Sequence, residues 1–303
     1  MRRSRKRKLV GKSIEMAKAA EGAKSLPRRA LARTTAKAAR QVTGLPLPGE
    51  PGQITVEQLR KIFPMNKVGQ PTDAHLQAVA DELNRDPVNF KLDTPVRRAH
   101  FFGQIKQESP LLDGAAESLN YTPAGLRATF GYYQKHPDEA QADGRLEERD
   151  AEGRRRVLRK ANQEAIANKA YMGPDGNTGL GNLQPGDGWR FRGRGVHQTT
   201  GRDNYRAFTK AHPRYWAEKV DFVANPELLE TMPYNLRSAV VFWLERKCWE
   251  KADAGVDAEA IDALTALINA GEIRKHLAGQ YAADQSPVLK RRAYVQLAFT
   301  AFA

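Results

Sequence analysis

Nine residues, Gly44-Leu45-Pro46-Leu47-Pro48-Gly49-Glu50-Pro51-Gly52, hold three prolines and three glycines. Proline lacks a backbone donor and glycine is too permissive, so neither helix nor strand runs through such a segment. The run reads as a linker over 44–53 and divides the 303-residue chain into two unlike parts. Before it, a basic arm spans 1–43. After it, residues 54–303 read as one globular catalytic domain beginning near Ile54. Of the formal charge of +14, residues 1–50 carry +11, from 14 Lys or Arg against Glu15, Glu21 and Glu50. The body is therefore close to neutral.

The arm has few large apolar residues (Leu9, Val10, Ile14, Met16, Leu26, Leu31), and Pro27 interrupts any helix in it. It cannot bury enough surface alone to offset its ordering entropy, so it is expected to be disordered or partly helical. Its charge suits a solubilising extension or an anchor for a polyanion. Nucleic acid, lipopolysaccharide and anionic lipid all satisfy it.

The body patterns as mainly α. Thr55 is placed to cap a helix, and Leu76, Val79, Ala80 and Leu83 share a face over Asp73–Leu83. Thr94-Pro95 opens another helix, with Val96, Ala99, Phe102 and Ile105 as its buried stripe. Pro110 disfavours helical geometry at Ser109, so that helix is expected to end at Glu108-Ser109. Further helices are expected over Asn235–Lys251 and Ala258–Ala270. Residues 134–164 read as a solvated helix or loop of mixed charge, and 171–201 as glycine-rich and irregular. No sustained alternation calls for a large sheet. The longest apolar run, Ala239–Leu244, is far short of the ~18–20 residues of a membrane span. No apolar h-region follows the basic start, and one cysteine, Cys248, excludes an internal disulfide and a four-cysteine zinc site. These features fit a chain made and folded in a reducing cytosol, without signal peptide or transmembrane segment.

Three constellations carry chemistry. Glu108 stands at the expected helix C-terminus after Phe101, Phe102 and Ile105. The negative end of the helix and apolar neighbours both favour a protonated carboxyl, the form a general acid needs. Glu117 follows across Pro110 and Gly114, so a turn lets the two carboxyls face each other over a cleft, as glycoside hydrolysis requires. The third is Gly186–Gly201, GDGWRFRGRGVHQTTG. As a phosphate cradle it fails, for no Gly-Lys-Ser/Thr ending follows. Its arginines and aromatics suit an RNA-binding segment. Its glycines, Trp189 and amide or hydroxyl groups suit a saccharide groove. His197 has no histidine partner at ligand spacing and reads as structural.

The runs Ala99–Ser109, Glu117–Tyr121, Ile166–Tyr171, Gly188–Gly201 with Arg202–Tyr205, and Val223–Pro226 occur in an order that resembles family-19 glycoside hydrolases, particularly the bacterial and phage branch that includes endolysins. The resemblance covers about Ile54 to Gly271 and leaves out the arm. It implies a lysozyme-like, two-lobed helical fold with a central cleft. It also implies inverting hydrolysis of β-1,4-linked N-acetylhexosamine polymers, with no metal or organic cofactor. By motif, Glu108 would be the general acid, Glu117 the general base, and Thr200 a holder of the attacking water. Gln198, Asn204, Tyr121, Trp189 and Asn269 would bind the sugar chain. Two positions depart from the family pattern: Ala270 replaces a glycine after Asn269, and Gln107 stands where many relatives carry His.

The leading expectation is an endolysin-like enzyme cleaving the peptidoglycan glycan strand, acting as a monomer at the bacterial cell wall (periplasm) or from a virion. A membrane lesion made by a partner such as a holin would give it access. Within the enzyme class the alternative is a chitinase. Outside it stands a non-catalytic nucleic-acid- or wall-binding protein, gripping its ligand by the arm.

Overall fold

The computed structural model describes residues 52–172, 179–282 and 284–303, and the arm expectation lies outside them. Helices dominate: α1 (Val56–Ile62), α2 (Asp73–Leu83), α3 (Pro95–Glu108), α4 (Pro123–Thr129), α5 (Gly131–Lys135), α6 (Pro137–Asp143), α7 (Gln163–Met172), α8 (Asp187–Arg190), α9 (Arg202–Ala211), α10 (Tyr234–Glu245), α11 (Cys248–Ala252), α12 (Ala258–Leu277) and α13 (Pro287–Phe302). Among the described residues the only sheet is the antiparallel hairpin of β1 (Leu146–Arg149) and β2 (Arg155–Arg159). The mainly helical, lysozyme-like fold class is as the sequence indicated.

Local chemistry sets most boundaries. Thr55 closes a capping box with Gln58 at the start of α1, and Thr72, Thr94 and Thr122 accept backbone N–H bonds at the starts of α2, α3 and α4. Each satisfies a donor that the first helical turn leaves unpaired. Pro95 and Pro123 follow their caps, where a missing N–H costs nothing.

Two hydrophobic cores form within Gln53–Ala303. The larger draws on α1 to α3 and α9 to α13, with Phe102, Leu236 and Val295 among its buried members. The smaller gathers Leu119, Leu126, Tyr133, Ala140, Ile166 and Ala167 from α4 to α7 and the segment before them, with Tyr121, Tyr171 and Trp189 packed on it. Helix α13 lies along α3, the most extensive contact between two elements. Gly103 makes that approach possible, since a β-carbon there would stand 2.7 Å from the Val295 α-carbon.

Three expectations need correction. The helix expected over Asn235–Lys251 is two, α10 and α11, because Lys247 takes a left-handed backbone (φ 51°) that no α-helix continues through. The helix from Ala258 breaks at Asn269 (φ −146°, ψ 81°), beside its expected end at Ala270, and a second helical segment that the expectation lacked carries α12 on to Leu277. The charged region 134–164 holds α6 and the hairpin rather than one helix or loop. Cross-strand pairs such as Glu148 opposite Arg156 bring opposite charges together there, a pattern helix periodicity does not reveal.

Candidate active site

Glu108 ends α3. The Ser109 N–H donates to the Ile105 carbonyl (2.7 Å) and Pro110 stops the next turn. The Glu108 side chain is 27% exposed, and its Oε1 accepts from Nη2 of Arg291. Arg291, on α13, is wholly buried. Its Nε donates to Glu272 Oε2 (2.8 Å) and its Nη1 to Gln104 Oε1 (2.9 Å). Burial works against the guanidinium's charge, yet Glu272 and Glu108 hold it more firmly protonated than usual. Arg291 thus sets a positive charge against Glu108, beside the apolar neighbours and helix terminus read from sequence.

Asn269 joins the same network. Its Nδ2 donates to Glu272 Oε1 (3.1 Å) and its Oδ1 accepts the Glu272 N–H (3.2 Å). The break in α12 at Asn269 therefore reaches Glu108 through Glu272 and Arg291. His197, Phe101, Gln104 and Phe242 line a small crevice against Glu108. Burial first, then the charges of Arg291 and Arg246, push His197 down to about 4, which suits a neutral ring lying 3.7 Å from the Phe242 ring centre.

Glu117 belongs to a segment zipped onto the glycine-rich run. The Glu117 N–H donates to the Gly193 carbonyl (2.9 Å), and the Gly195 N–H to the Gly114 carbonyl (2.9 Å). The carboxylate is held on both oxygens: Oε1 accepts the Gly193 N–H (2.6 Å) and Oε2 accepts the Tyr171 hydroxyl (2.6 Å). A β-carbon on Gly193 would lie 2.7 Å from Gln198 Oε1, 3.2 Å from Thr200 Oγ1 and 3.3 Å from Glu117 Oε1. Three side chains named from sequence thus converge on the space above one glycine.

Gln198 is fixed by its Nε2 donating to the carbonyls of Ala115 (3.1 Å) and Gly195 (3.2 Å). Its backbone is left-handed (φ 53°), an uncommon conformation for a side-chain-bearing residue. Thr200 Oγ1 donates to the Gln198 carbonyl (2.9 Å), and Asn204 Nδ2 to the Thr200 carbonyl (2.7 Å). Gln198, Thr200 and Asn204 line one groove with His197, Ser238 and Phe242.

Trp189 and Tyr121 sit apart from that groove's lining, packed on the smaller core. The Trp189 N–H donates to Asn168 Oδ1 (2.9 Å), and the Arg192 guanidinium covers its ring at 3.8 Å. Tyr121 packs edge-on to Phe130.

The structure therefore gathers Glu117, Gln198, Thr200 and Asn204 directly, and links Glu108 with Asn269 through Arg291. Sequence reading assigned no role to Arg291, Glu272, Gln104 or Tyr171. One signal pointed to Arg291: it occupies the α13 stripe otherwise formed by buried Val288, Val295, Ala298 and Phe302, and a charge on an apolar stripe needs a buried partner.

No family model matches the chain. Over 211 residues it is 34% identical to a "Glycosyl hydrolase family 19 domain-containing protein" of Haemophilus influenzae, covering 70% of this chain and 84% of that relative.

Proposed function

The chain belongs to glycosyl hydrolase family 19, and from that membership we propose that it hydrolyses β-1,4 bonds of the peptidoglycan glycan strand by an inverting acid–base mechanism. The supporting observation is the meeting of Glu117, Gln198 and Thr200 above Gly193, with Glu108 held on Arg291.

In this reading Glu108, ion-paired with Arg291 in the free enzyme, takes up a proton before the step and gives it to the glycosidic oxygen as the C1–O bond breaks. Glu117 takes a proton from a water held by Thr200 and Gln198, whose oxygen bonds to C1 from the opposite face. Glu108 leaves the step as a carboxylate, which Arg291 stabilises by charge, and Glu117 leaves it protonated. Exchange with solvent resets both. Inversion requires about 6.5–9.5 Å between the carboxyls, room for that water. Asn204 and Asn269 bind sugar, with Trp189 and Tyr121 shaping the smaller lobe behind Glu117. Residues 1–43 act as a basic arm that holds the domain, 54–303, near an anionic cell envelope. The site of action is the cell wall, reached through a lesion made by a partner such as a holin.

Chitin offers the same N-acetylglucosamine unit, so the test runs both polymers. Clearing of outer-membrane-permeabilised Gram-negative cells is followed for the wild type, Glu108→Gln and Glu117→Gln, with colloidal chitin in parallel. Clearing by the wild type and a loss of about 10²–10⁴-fold in each variant is the expected result. Cleavage of chitin alone moves the substrate to chitin. Inactivity on both polymers overturns the enzymatic reading.

A further inference from the structure

Tyr171 ends the Ile166–Tyr171 motif, and its hydroxyl reaches Glu117. A carboxylate offers about four lone-pair positions, and in Glu117 one on each oxygen is taken: by the Gly193 N–H on Oε1 and by the Tyr171 O–H on Oε2. Both donors are anchored. Gly193 is held by the ladder to the Glu117 backbone. The Tyr171 ring stands edge-on to Phe130, 6.0 Å between centres at 86°, on a helix whose Ile166 and Ala167 are buried in the smaller core.

We propose that Tyr171 is a positioning residue for Glu117, fixing the plane of its carboxylate from the side opposite the Gly193 N–H. The inference rests on Glu117 as general base. With one donor on each oxygen the carboxylate is held against rotation about its last bond, which keeps Oε1 beside the space above Gly193. Burial and then the negative charge of Glu117 push the Tyr171 hydroxyl above its ordinary value, so it stays protonated and donates to Glu117. Polar groups facing this pair include Arg192, which senses the Glu117 charge, Tyr121, which senses Tyr171, and Gln198 and Thr200 beside the space above Gly193.

The test is Tyr171→Phe, which keeps the ring against Phe130 and deletes the hydroxyl. Rates on a soluble glycan fragment are measured across pH beside wild type and Glu117→Gln, with melting temperatures for all three. Loss of one charge-assisted hydrogen bond is expected to lower kcat about tenfold and leave KM within about twofold. The acidic limb of the kcat/KM profile should move to higher pH, because the charged form loses a donor. Replacing Tyr171 by a fluorinated tyrosine, a stronger donor, should move that limb the other way. A merely structural role would lower kcat and melting temperature together and leave both limbs in place, and that outcome overturns the inference. So does a Tyr171→Phe enzyme with wild-type kcat and limb beside an inactive Glu117→Gln. Wild-type activity in Glu117→Gln would instead bring down the assignment of the base.

Discussion

Replacing Arg291 by Met tests whether the α3–α13 junction depends on a buried charge or merely on volume. Met roughly preserves the apolar stem and removes a guanidinium that is 0% exposed. Three partners lose their donor: Glu272, Gln104 and Glu108. Breaking a buried ion pair by removing one partner costs about 3–5 kcal/mol. Here the orphaned carboxylates are 27% exposed at Glu108 and 16% at Glu272, so water partly replaces the lost donor and the low end applies. About 3 kcal/mol, at roughly 2–4 °C per kcal/mol for a domain of this size, lowers the melting temperature by about 6–12 °C. Calorimetry at neutral pH measures the effect. Adding Glu272→Gln closes a double-mutant cycle, and the double variant should recover part of the loss. Melting of Arg291→Met within about 1 °C of wild type would refute the reasoning, leaving the network as packing without electrostatic weight.

Two further outcomes follow. Gly193→Ala puts a β-carbon 2.7 Å from Gln198 Oε1, the far end of a flexible side chain. Hydrolysis should therefore fall at least about tenfold, as a misplaced group costs in a pre-organised site, while urea denaturation shows a loss of no more than about 1 kcal/mol. His197, held down to about 4 against an ordinary 6.5, stays neutral in the fold. The unfolded chain takes up its proton first, so this residue's contribution is steady above about pH 6.5 and is lost as pH falls towards 4. His197→Gln should flatten that part of the stability–pH curve measured by denaturant midpoints.

Short-range chemistry was legible in the sequence to single residues. The Thr94-Pro95 start and the stop before Pro110 bound α3 as expected, because caps and proline act through the few atoms next to them. The same locality hid the break at Lys247, where the apolar stripe runs on either side of one left-handed residue. It also hid the hairpin, whose charges find partners across strands rather than along a helix. In the site, Glu117, Gln198 and Thr200 were recognisable as side chains with the right chemistry, and Gly193 lay in a run read as a groove, but which glycine they meet over was not written there. What only the tertiary structure decided was the company each carboxylate keeps. Arg291 lies 183 positions from Glu108 and Tyr171 lies 54 from Glu117. Sequence alone determined the helical fold and the candidate carboxylates, since each is written in adjacent residues. The ion pair of one carboxylate and the hydrogen bonds of the other depend on packing α13 against α3 and α7 into the smaller core, which brings groups distant in sequence within hydrogen-bond reach.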